Sequence, residues 1–205
     1  MRVISLLALS GLTSLFTGCS DSSSDSSDSA QGGDNGQGGS PAQGGNGAAN
    51  GGAPGAGEPA ELNGITAAHN EARANVNPAA ATPITPLTWD PALASVAQAY
   101  AENCVFEHSG GPYGENLYAN TGLTQPATIV EDWVSEVADY DYASNSCDGG
   151  AVCGHYTQVV WADSTKLGCG VAVCSQNSPF GSGQDWQNWV CNYDPPGNWV
   201  GEQPY

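Results

Sequence analysis

CGHYTQVVW, residues 153–161, sets a cysteine, a glycine and a histidine directly before a run that reads as a buried strand. Tyr156, Val159, Val160 and Trp161 are residue types that suit a pleated sheet. His155 is the exception in that run. Either its ring is a structural group with its hydrogen bonds met locally, or it is part of a site completed from elsewhere in the chain.

Working outward, the period of two continues in LGCGVAVC (167–174) and NWVCNY (188–193), which read with HYTQVVW as strands of an antiparallel sheet. Upstream the period changes. Residues 62–75 place Ile65, Ala68, His69 and Ala72 on one helical stripe. Asp90 and Pro91 read as the cap and first-turn proline of a second helix, with Leu93, Val96, Ala97, Tyr100 and Cys104 along its inner face. A third helix is expected from about Pro126, with Ile129, Trp133, Glu136, Val137 and Tyr140 inward and Glu131, Asp132 and Asp139 elsewhere. Helices followed by strands in one small unit predict an α+β layered fold.

The chain opens with Arg2, an apolar stretch from Val3 to Phe16, and then TGC. This reads as a signal peptide over residues 1–18 of the bacterial lipoprotein type, with Cys19 as the lipidated N-terminus. Ser20 after that cysteine favours the outer membrane of a diderm cell over inner-membrane retention. Residues 19–60 are a Gly/Ser/Asp-rich linker with no aromatic or branched aliphatic residue before Pro59, so little there can offset the entropy of folding. Residues 61–205 are one domain's length.

The chain has seven cysteines, and Cys19 accounts for the odd one. Six cysteines in an exported domain imply three disulfides, with the pairing left open by sequence alone. A zinc ribbon lacks its paired CxxC spacing here. The net charge is −18, and beyond the signal only Arg73 and Lys166 are basic. Nucleic acid is therefore excluded as a partner, and so is an anionic lipid surface reached through charge. Membrane contact is expected only through the N-terminal lipid, and the domain is expected to be a monomer.

Glu136 sits on an apolar helical stripe, where a carboxylate is costly unless a cation, a metal or hydrogen-bond donors meet it. In CVFEHSGGPYGENLY (104–118), Cys104, Phe106 and His108 alternate to one side if the chain is extended, and Glu115 falls on a Gly/Pro-rich turn. His108, Glu115, Glu136 and His155 can thus converge from separate segments. Taken singly, each histidine is more often a satisfied structural residue than part of a site, and Glu115 can serve simply as an acceptor for amides of its own loop.

GHYTQVVW (154–161), CNYDPPGNWVGEQPY (191–205), HNEAR (69–73) and GENLY (114–118) resemble, in order, the motifs of the CAP superfamily, the cysteine-rich secretory, antigen 5 and pathogenesis-related class 1 proteins. The domain is most similar to the plant class 1 branch. The resemblance implies a three-layer α/β/α sandwich with a central, largely antiparallel sheet. It implies a cleft tetrad of His108, Glu115, Glu136 and His155, and a structural role for His69. It also implies disulfides Cys104–Cys169, Cys147–Cys153 and Cys174–Cys191.

Two neutral imidazoles, His108 and His155, can bind Zn²⁺ or another divalent ion weakly, with Glu115 and Glu136 supporting them. No Ser or Cys nucleophile is marked by a motif. The expectation is a non-enzymatic exported binding module whose partner is a sterol-like or other small apolar ligand, or a cell-surface component. The alternatives are a zinc-dependent hydrolase using the same tetrad and an interaction-only surface scaffold.

Overall fold

The computed structural model describes residues 57–205. The signal, Cys19 and most of the linker lie outside the described residues. The sheet has four strands: β1 (Thr88–Trp89), β2 (Gly114–Asn120), β5 (Lys166–Cys174) and β6 (Trp186–Asp194), in the order β1-β5-β6-β2. Every pairing is antiparallel except the short parallel contact of β1 with β5. A two-stranded ribbon, β3 (Tyr140–Asp141) with β4 (Ser146–Cys147), lies apart from it.

Among the described residues four α-helices cover the sheet: α1 (Ile65–Ala74), α2 (Pro91–Ala101), α3 (Pro126–Ser135) and α4 (Gly154–Val159). On one face α1, α3 and α4 enclose the main core, which includes Ile65, Ile129, Trp133, Tyr156 and Tyr193. On the other, α2 packs Ala97 and Ala101 against Leu117 and Val190. This is the three-layer α/β/α arrangement with a largely antiparallel sheet.

The second helix starts as read: the Asp90 side chain accepts from Ala92 N and Leu93 N, and Pro91 follows it. Its inner face differs from the expectation. Leu93, Ala94, Ala97 and Ala101 are buried, while Val96 is 46% exposed. The reason lies in the strand beneath. A Cβ on Gly168 would come within 2.2 Å of Ala94 N, and one on Gly170 within 2.3 Å of Gln98 Cα. The helix backbone rests directly on two glycines of β5, so small residues at 94, 97 and 101 turn inward and Val96 turns out.

Four other expectations are corrected. HYTQVVW is not a strand: Gly154–Val159 is helical. Glu136 does not continue α3, which ends at Ser135, but opens a tight helical turn over Glu136–Asp139. Glu115 lies on strand β2 rather than in a turn. Cys104, in turn, has left-handed backbone (φ 54°), which breaks the alternation expected through Phe106 to His108.

The disulfides are Cys104–Cys174, Cys147–Cys153 and Cys169–Cys191, so two of the three expected pairs are exchanged. Strand geometry explains it. Cys169 and Cys191 are directly opposite in the β5–β6 register. Cys174 is five residues from Cys169, an odd step that turns it to the other face. There α2 ends, and Cys104 meets Cys174 beside Trp186.

Arg73 is the least expected core residue, 1% exposed and with no carboxylate partner among the described residues. Its Nε and Nη2 donate to Thr85 O at 3.1 and 2.7 Å. Nη1 donates to Val159 O and Trp161 O at 3.0 and 2.8 Å, and Nη2 also to Ser164 O at 2.9 Å. All five guanidinium donors are used on backbone carbonyls, three of them at or just beyond the end of α4. Glu58 does the complementary work on α1, accepting from Gly64 N and Thr66 N.

Candidate functional site

The four tetrad residues form two carboxylate–imidazole pairs. In the first, Glu115 Oε1 meets His108 Nδ1 at 2.9 Å and accepts from Ser109 N at 2.9 Å. The Glu115 side chain is 7% exposed and its Oε2 is buried with no hydrogen-bond partner. Burial works to raise this carboxyl's pKa, but the hydrogen bonds from His108 and Ser109 overcome it and the net shift is downward.

In the second pair, Glu136 Oε1 meets His155 Nδ1 at 2.6 Å. Glu136 Oε2 accepts from the backbone N–H of His155 at 2.9 Å and of Tyr156 at 3.1 Å. Those two amides belong to the first turn of α4, where N–H groups have no partner within the helix. A carboxylate from another element supplies the missing acceptor. The His155 ring stacks on Trp133, with centroids 6.1 Å apart and planes 15° apart.

One residue links the pairs. Asn116, next to Glu115 on β2, donates through Nδ2 to His155 O at 3.1 Å and to the Tyr193 hydroxyl at 3.2 Å. The Tyr193 oxygen lies 2.8 Å from His69 Nε2, and His69 Nδ1 lies 2.8 Å from Ile65 O. A carbonyl only accepts, so His69 carries its proton on Nδ1 and its Nε2 accepts from Tyr193. His69 is fully buried, and burial lowers its pKa to about 4. It is a neutral brace between α1 and β6. Sequence reading did not single out Asn116 or Tyr193. Both are buried polar groups on strands that carry other polar residues, such as Glu115 on β2 and Asn188 and Asn192 on β6, so their types alone gave no signal.

Both cleft rings commit Nδ1 to a carboxylate, and no group among the described residues hydrogen-bonds Nε2 of either. That is how a metal-ligating imidazole is held, its second nitrogen free and its first fixed by a carboxylate. With the buried, unpartnered Glu115 Oε2, the donor chemistry fits a divalent ion bound through two imidazoles. Among the described residues no group of three or more His, Cys, Asp or Glu converges to hold one ion. The protein would then supply two donors and leave the remaining positions to water.

A groove of about 740 Å³ opens beside the second pair, lined by Ala72, Val76, Val134, Val137, Tyr140 and Tyr156 among others. None of the four tetrad residues lines it, but Val137 and Tyr156 are chain neighbours of Glu136 and His155.

Comparison with known proteins gives the same outline. Residues 66–193 match the CAP family, described as the cysteine-rich secretory protein family. The chain is similar to pathogenesis-related leaf protein 4 of Solanum lycopersicum, 48% identical over 143 residues covering 68% of this chain and 80% of that one. It is 46% identical to pathogenesis-related protein 1 of Arabidopsis thaliana over 141 residues, covering 67% and 78%. Among solved structures, Schistosoma mansoni venom allergen-like protein 4 superposes with a TM-score of 0.51 at 26% identity, over 69% of this chain and 90% of that one. The structure described as NaASP2 with Zn²⁺ gives a TM-score of 0.54 at 26% identity, over 75% and 90%.

Proposed function

Given that the chain belongs to the cysteine-rich secretory protein (CAP) family, we propose that it is an exported binding module with a weak two-imidazole site for a divalent cation and a separate groove for a small apolar ligand. The observation that carries the cation reading is the matched pairing of both rings, Nδ1 to carboxylate and Nε2 free. The solved relative described with Zn²⁺ supports zinc as the ion to test first. His108 and His155 would be its ligands; Glu115 and Glu136 orient the rings and raise their basicity. A bound ion would supply a Lewis acid at the mouth of the cleft. The chain's own groups there hold rings and amides in place, which supports binding over turnover.

The apolar-ligand reading rests on the groove between α1 and the turn after α3, whose side chains are chiefly Val, Ala and Tyr. The N-terminal sequence supports a lipid anchor at Cys19, with the acidic linker holding the domain away from the membrane. Mass spectrometry of the purified mature protein tests all three parts. Retained zinc, a retained hydrophobic molecule and a diacyl mass on Cys19 are expected. A metal-free, ligand-free protein that takes up no zinc on titration rejects the binding-site reading, and an unmodified N-terminus rejects the anchor.

A further inference from the structure

We propose that the Cys147–Cys153 disulfide is a redox clasp on the Glu136–His155 pair, opened selectively by dithiols while the other two disulfides stay closed. Cys104, Cys174, Cys169 and Cys191 are 8%, 1%, 1% and 0% exposed, and Cys153 is 6% exposed, so both ends of the other two disulfides are buried. Cys147 is different. Both residues of β4 are exposed, and β4 pairs only with the two-residue β3. A thiolate approaching Cys147 meets an exposed residue on a two-residue strand, whereas each of the other two bonds joins two buried cysteines.

The position of this disulfide gives its opening a local consequence. Glu136 and His155 are 19 residues apart in sequence, and each lies close to one end of the β3–β4 ribbon. From Glu136 the chain passes through one helical turn into β3, crosses to β4 and reaches Cys147. The disulfide then jumps to Cys153, two residues before His155. Without it, the intervening loop is tied back by Asp148 N to Asp139 O at 2.8 Å and Ala151 N to Asp148 O at 2.9 Å. Opening the bond therefore loosens the first turn of α4, which Glu136 caps. The other end of α4 stays fixed by buried Val159, Val160 and Trp161 and by Arg73.

The step is thiol–disulfide exchange with a dithiol. One thiolate attacks Cys147 Sγ, the Cys147–Cys153 bond breaks, and Cys153 leaves as a thiolate that takes up a proton. The second thiol of the reductant then attacks the mixed disulfide and closes to a cyclic disulfide, leaving Cys147 as a thiol. Two electrons and two protons pass from the dithiol to the two cysteines.

The clasp concerns the same pair as the zinc reading but does not require zinc, and its test uses none. The folded protein is treated with increasing dithiothreitol, alkylated and peptide-mapped, and amide exchange is followed in parallel. The expected result is labelling of Cys147 and Cys153 well before the other four cysteines. Exchange at His155 and Tyr156 should accelerate about tenfold or more, with Val160 and Trp161 unchanged. The Cys147→Ser, Cys153→Ser double variant should show the same faster exchange without reductant. Labelling of all six cysteines together, or labelling of the pair with unchanged exchange at His155 and Tyr156, would overturn the proposal. Should the double variant fail to fold, the partial-reduction experiment decides alone.

Discussion

Glu136 holds His155 by both its ring and its backbone, accepting from Nδ1 at 2.6 Å and from the amide N–H at 2.9 Å. The same carboxylate thus fixes a candidate metal ligand and starts the helix that carries it. Replacement by Gln and by Ala should separate the two duties. Glu136→Gln keeps an acceptor for the amides, while Glu136→Ala leaves three donors without a partner and should cost about 2–4 kcal/mol in denaturant unfolding. If both variants unfold at the wild-type midpoint, the cap contributes nothing.

Zinc binding gives the second expectation. Glu136→Gln and Glu115→Gln should weaken it by about 10–100-fold, and the His108→Ala, His155→Ala double variant should abolish it. Because protons compete for the ring nitrogens, heat of binding in calorimetric titration of chelator-treated protein should be smaller at about pH 5.5 than at about pH 7.5. Equal heats in the double variant and the wild type would remove the metal from the account.

Arg73 and Lys166 are the two cations of the folded domain, and they should behave oppositely. Lys166 lies 3.3 Å from Asp90 and is 49% exposed, so Lys166→Ala should change stability by less than about 1 kcal/mol. Arg73→Lys cannot reach all four carbonyls and should cost about 3 kcal/mol or more, since each buried carbonyl left open is expensive. Thermal melts of the two variants side by side make the comparison.

The neutral brace at His69 makes stability depend on pH. Its ordinary value is near 6.5 and burial lowers it to about 4 in the fold, so the unfolded chain takes up the proton first. Stability is complete above about 6.5 and is lost as pH falls toward about 4, by on the order of 3 kcal/mol. The Asp90 and Asp141 carboxyls, held below the ordinary carboxylate range by backbone hydrogen bonds, add their own loss as they take up protons. Urea midpoints measured down this range should fall for the wild type and fall less for His69→Gln; parallel lines would show that His69 titrates alike in both states.

The disulfides differ in the loops they close. Cys104–Cys174 spans 70 residues and Cys147–Cys153 spans 6. Removing the first by a paired Cys→Ala change should cost about 4 kcal/mol and removing the second about 2, through the restriction each places on the unfolded chain. Mapping that recovered Cys104 joined to Cys169 would contradict the strand register itself.

Much of this was legible because it is local. Asp90 and Pro91 announce α2, and the alternation in 167–174 and 188–193 announces β5 and β6. The misread stretch was 154–161, where aromatic and β-branched residues argue for a strand. Two distant residues override them: Glu136 caps one end of α4 and Arg73 holds the other. The exchanged disulfides have a similar cause, since which cysteine faces which depends on a register that the linear spacing does not contain. The four candidate residues lie as two carboxylate–imidazole pairs, His108 with Glu115 and His155 with Glu136, but Asn116, which joins the pairs, carries no signature beyond its place beside Glu115.

Strand β2 pairs with β6 on one side only, leaving a seven-residue margin of the sheet facing away from its neighbours. Such a margin is a template on which another copy of the chain can add a strand. Trp133, 2% exposed, donates its indole N–H to the Leu117 carbonyl at 3.1 Å and so occupies the middle of that margin. The ring that stacks on His155 therefore also takes up one carbonyl of this edge strand. Substitutions at Trp133 made to reshape the cleft should reveal themselves first in light scattering, as oligomers growing from the strand that holds Glu115.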